Sequence, residues 1–181
     1  MLEILKQDKN IPYFITAGVI VFILKWFYTS ASLNDVFFLL NPTAKFLSVV
    51  SGYDSVFSPV DGYYFAELQI VIDKSCSGFN LMLISFLLFV FLLVQNAKKG
   101  TTKVIAMVLS FLLAYVFTIL VNTSRILISI LVQSKTDVIF STQKGLIHEA
   151  IGVATNITFL IIAYLFIDRF LNKRNAKLTK S

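Results

Sequence analysis

Cysteine, histidine and charge are all scarce in this chain, and each shortage closes off a class of protein. One cysteine in 181 residues, Cys76, excludes an internal disulfide. One histidine, His148, with that cysteine and a few scattered carboxylates leaves no set of zinc ligands, and no metal or other cofactor is expected. Neither an HExxH pair nor a glycine-rich phosphate loop occurs. Charged residues make up only 14% of the chain against 57% hydrophobic residues, 18 of them phenylalanine. A soluble domain of this size could not bury so much apolar surface, so lipid must solvate part of it. The net charge of +6 sits beside apolar stretches rather than along a polar face. It predicts juxtamembrane anchoring and no nucleic-acid partner.

What is abundant is long apolar runs, which predict an all-α integral membrane protein of one domain, residues 1–181, with about four transmembrane helices. The expected spans are 11–28, 79–95, 104–132 and 150–168, followed by a basic tail over 169–181. No cleavable leader is expected, because no small-residue cleavage site follows the first run. Pro12 falls in the first turn of span one, and Lys25 and Trp26 near its far end suit interface anchors. At about 1.5 Å per residue, a helix over 104–132 would reach about 43 Å, against roughly 30 Å of hydrocarbon. That helix must tilt, break or project.

Basic residues set the expected orientation. Lys6, Lys9, Lys98, Lys99, Lys103, Arg169, Lys173, Arg174, Lys177 and Lys180 fall on one side, and only Lys45, Lys74, Lys135 and Lys144 on the other. The positive-inside rule then predicts both termini in the cytoplasm. Residues 30–75 become an extracytoplasmic cap: one or two short interfacial helices with a break at Asn41-Pro42, then a β-hairpin or extended segment around Asp61-Gly62.

Under that topology Cys76, Arg125 and His148 arrive at one depth. Cys76 precedes span two, His148 precedes span four, and Arg125 lies 22 residues beyond Lys103, about 33 Å along a continuous helix. Taken singly, a free cysteine in an apolar protein is an inert small hydrophobe, and a lone interfacial histidine is a polar bystander. Together they have the chemistry of an activated nucleophile: a thiol with Ser77 and Gly78 beside it at a helix N-terminus, a base that titrates near neutrality, and a fixed positive charge. Arginine within a membrane helix costs about 2.5 kcal/mol or more at mid-bilayer, so Arg125 calls for a function or a partner. Asn122, one turn earlier, suits orientation of a partner or an interhelical hydrogen bond; Glu149 adjoins His148 but points elsewhere on a helix.

Three runs carry a family resemblance: SCSGFN (75–80) opening a membrane helix, NTSRI (122–126) ending another, and HEAIG (148–152) opening a third. Together they resemble the exosortase/archaeosortase family of membrane cysteine transpeptidases, whose proposed triad is Cys, Arg, His in that order. The short length and the stretch KWFYTSASLNDVFFLLNPTAKFL resemble the compact exosortase K type. The resemblance implies a multi-pass enzyme of the cytoplasmic membrane with its active site on the extracytoplasmic face. Cys76, Arg125 and His148 would be catalytic, with Asn122, Ser77 and Gly78 supporting them. Its partners would be exported proteins ending in a short motif, a hydrophobic helix and a basic cluster, which it would cleave through a thioester and pass to an acceptor. The alternative from another class is a non-enzymatic membrane assembly factor or small transporter subunit, with Arg125 as a structural or substrate-binding charge.

Overall fold

The computed structural model describes residues 9–136 and 144–178, with side chains over 9–132 and 150–173. In chain order the elements are α1 (Ile11–Ser30), α2 (Phe37–Ser51), β1 (Val56–Ser58), β2 (Gly62–Phe65), β3 (Ile70–Ile72), α3 (Phe79–Gln95), α4 (Gly100–Thr136) and α5 (Lys144–Leu178). Short 3-10 turns at Asn34–Val36 and Lys74–Cys76 lead into α2 and towards α3. Among the described residues four helices, α1, α3, α4 and α5, are long and apolar enough to cross a membrane, the architecture of a multi-pass membrane protein. The side chains of His148, Glu149, Arg174 and Lys177, and the whole of Lys6 and Lys180, lie outside what is described.

α3 is the most buried of the four spans, which explains its nearly unbroken Leu/Phe/Ile sequence: a helix covered on most sides needs no polar face. Its chief partner is α4, which presents Ala106, Ser110, Ala114, Thr118, Asn122 and Ile126, all buried and all four residues apart. Such an i±4 ridge of mostly small side chains lets two backbones approach closely. α1 is peripheral, with Ala17 its one fully buried residue. It is pinned near both ends instead. Lys25 Nζ donates to Asn80 Oδ1 at 2.7 Å and Tyr28 stacks on Phe79 with centroids 4.3 Å apart, while Lys103 Nζ sits 5.5 Å from the Tyr13 ring centre. Lys25 thus has a defined partner beyond an anchoring role.

Residues 104–132 neither break nor stop at the expected limits. α4 is one helix of 37 residues, about 55 Å long at 1.5 Å per residue. Its last part serves as a post for a second core, in which Ile126 packs with Val36, Leu40, Ala44, Leu47, Tyr63, Phe65 and Ile72. That core joins α2 to a three-stranded antiparallel sheet of order β1-β2-β3, one strand more than a hairpin.

The expected break at Asn41-Pro42 is absent too. Pro42 lies inside α2, and its missing N–H leaves the carbonyl of Phe38, four residues back, without its helical donor. Tyr115 of α4 donates its hydroxyl to that carbonyl at 2.9 Å. A tertiary hydrogen bond from another helix therefore supports an unbroken α2.

Candidate functional site

Cys76 closes the 3-10 turn Lys74–Cys76, and the turn is held from three sides. Asp73 caps it: Oδ1 accepts from the Cys76 N–H at 3.1 Å and from Ser75 Oγ at 2.6 Å. From α1, Tyr28 donates its hydroxyl to the Lys74 carbonyl at 2.9 Å, and Lys74 Nζ donates to the Ala31 carbonyl at 2.5 Å. From α4, Asn122 Nδ2 donates to the Cys76 carbonyl at 2.6 Å. Asn122 is 1% exposed, so this bond is made out of water and fixes the cysteine backbone against α4.

Gly78 makes that approach possible. Its φ of +75° is left-handed, and a Cβ there would lie 2.9 Å from Thr118 Cγ2 and 3.1 Å from Asn122 Cγ. Only glycine satisfies both the turn and the contact. Ser77 is fully buried, and its Oγ lies 3.3 Å from the Tyr28 hydroxyl and 3.4 Å from the Phe79 N–H, which ties the residue after Cys76 to α1 and to the start of α3.

Arg125 is one turn beyond Asn122 on α4 and half-buried. It packs on α5, where a Cβ at Gly152 would come within 2.8 Å of its Nε. Nε is buried without a hydrogen-bond partner among the described residues. Burial, the largest influence, pushes the Cys76 thiol above its ordinary pKa, and the Asp73 carboxylate acts in the same direction; Ser75, with Oγ 3.8 Å from Sγ, and the Arg125 charge oppose the shift without cancelling it. A thiolate here needs help from a base or a cation.

Two of the three expected catalytic residues are thus drawn to the same end of α4. For the third, the structure describes only the helical backbone at 148, one turn before Gly152 on α5. The thiol also borders a cavity of about 150 Å³ lined by Ile70, Val71 and Ile72 of β3 and by Ile126, Ser129 and Ile130 of α4. Sequence reasoning missed Asp73 and Ser129. The first was legible as a capping residue three positions before Cys76, and the second as a small polar residue one turn after Arg125. No grouping of three or more His, Cys, Asp or Glu able to hold a metal occurs among the described residues. No family model, curated protein or solved structure matches the chain.

Proposed function

We propose that this chain is a membrane-embedded cysteine peptidase or transpeptidase of the exosortase type, with N- and C-termini in the cytoplasm and its site on the outer face of the cell membrane. The observation that carries the reading is the junction of Cys76 with α4: Asn122 bonded to the cysteine carbonyl and, one turn on in the same helix, the half-buried cation Arg125. The expense of holding Arg125 half-buried in a membrane helix supports a chemical use for it.

In this reading α2 and the sheet form a cap over the site, and an exported protein with a C-terminal motif, hydrophobic helix and basic cluster presents its scissile bond there. The Cys76 thiolate attacks the carbonyl carbon, and Arg125 stabilises the oxyanion. His148 protonates the leaving amine as the C–N bond breaks, giving a thioester. An acceptor amine then attacks the thioester, His148 takes its proton, and Cys76 leaves as thiolate.

The test uses the single cysteine. A membrane-impermeant maleimide applied to intact cells should label Cys76 from outside. Arg125→Gln, which removes the cation that favours thiolate, should move the labelling profile to higher pH. Cys76→Ser should abolish processing of a co-expressed exported substrate. Labelling only from the cytoplasm, or a profile indifferent to Arg125 with processing intact in Cys76→Ser, would favour the non-enzymatic reading.

A further inference from the structure

Helical Ser and Thr residues in this chain commonly satisfy their hydroxyls on the carbonyl four residues back: Thr16, Ser85, Ser110, Ser124 and Thr158 all do so, at 2.7–2.9 Å. Ser129 does not. It is 3% exposed, and its Oγ is buried with no hydrogen-bond partner among the described residues. Thr43, Thr118 and Thr123 share that state, but of these four only Ser129 borders the cavity beside Cys76. The other walls are aliphatic, apart from the thiol itself.

From these features we infer that the cavity is a side-chain subsite of the enzyme proposed above, and that it takes one small branched side chain carrying a hydroxyl, of the threonine class, with Ser129 as its hydrogen-bond partner. The inference rests on that enzymatic reading. Volume sets the size: about 150 Å³ holds a group no larger than roughly a benzene ring, which admits a β-branched side chain and rejects a bicyclic one. The buried hydroxyl sets the chemistry, because a site with an unpaired polar group discriminates against a ligand that leaves it unpaired. Geometry sets the direction of the chain. β3 is an edge strand of its sheet and forms one wall, so an extended peptide laid beside it would bring one residue to the cavity as its backbone passes the thiol.

The experiment reads the site directly, because Cys76 is the only thiol. Full-length protein in bilayer nanodiscs is treated with methanethiosulfonates bearing methyl, isobutyl, 2-hydroxypropyl and naphthylmethyl groups. Each rate is divided by that of glutathione, and modification of Cys76 is followed by intact mass. The subsite predicts isobutyl and 2-hydroxypropyl ahead of naphthylmethyl by about tenfold or more. Ser129→Ala should lower the 2-hydroxypropyl to isobutyl ratio. Ser129→Leu, which fills the cavity, should remove the branched-chain preference, each rate being compared with that of the methyl reagent on the same protein so that a general change in thiol access cancels. Ratios that stay the same in wild type and Ser129→Leu overturn the subsite. Flat ratios in a protein whose Cys76→Ser variant loses processing overturn the subsite alone and leave the enzyme standing.

Discussion

Asn122 ties the backbone of Cys76 to the membrane helix that carries the cation, through its side-chain amide. Replacing it with Leu keeps the volume but removes the donor to the part-buried Cys76 carbonyl, which costs about 1 kcal/mol. Thermal unfolding in detergent should show that loss, and a midpoint unchanged from wild type would mean that the carbonyl finds another donor. Gly152 tests the cation in the same way. A methyl group there meets Arg125 Nε at 2.8 Å, so Gly152→Ala should displace the guanidinium and lower the proposed processing, by up to about 100-fold if the shift reaches about 1 Å, with little change in stability. Wild-type processing would show that the contact with α5 does not set the guanidinium. Cys76 and Arg125 were legible in the sequence because a thiol and an arginine are rare among so many apolar residues. The orphaned state of Ser129 was not, since nothing in a sequence says which serines bond their own helix.

At the scale of elements, the spans were legible because length and apolar content alone define them, and α3 begins and ends where its pattern does. The small-residue ridge of α4 could have been read from the spacing of Ala106, Ser110, Ala114, Thr118 and Asn122, which would have predicted the α3–α4 pairing. Pro42 misled for a physical reason: a proline signals a break from local rules, whereas the donor that supports its helix comes from Tyr115, 77 residues from the carbonyl it serves. A double-mutant cycle isolates that bond. Tyr115→Phe should cost about 1 kcal/mol in the native chain and close to nothing beside Pro42→Ala, which restores a local N–H for the Phe38 carbonyl. Equal losses in both backgrounds would assign the cost to ring packing on Phe38, whose ring centre is 6.2 Å from that of Tyr115.

For the whole molecule, one member dominates: α4 touches α3, α5, α2 and, through Ile126, the core under the sheet. Lys103 near one end is 7% exposed and donates to the Lys9 carbonyl at 3.4 Å; Arg125 lies 22 residues on, 125 minus 103, in the same unbroken helix. The two cations are therefore held about 33 Å apart along the axis, close to a hydrocarbon core of roughly 30 Å. No hinge or loop between them can take up slack. The protein thus contains a fixed ruler. In nanodiscs of increasing acyl length, the proposed processing should peak where the core is about as thick as that interval and decline in thicker lipid, as Arg125 is drawn among the chains; a rate independent of thickness would show that tilt absorbs the mismatch. The proposed chemistry would then be gauged to the lipid around it, and a change in acyl length or sterol content would regulate it without any ligand binding to the protein.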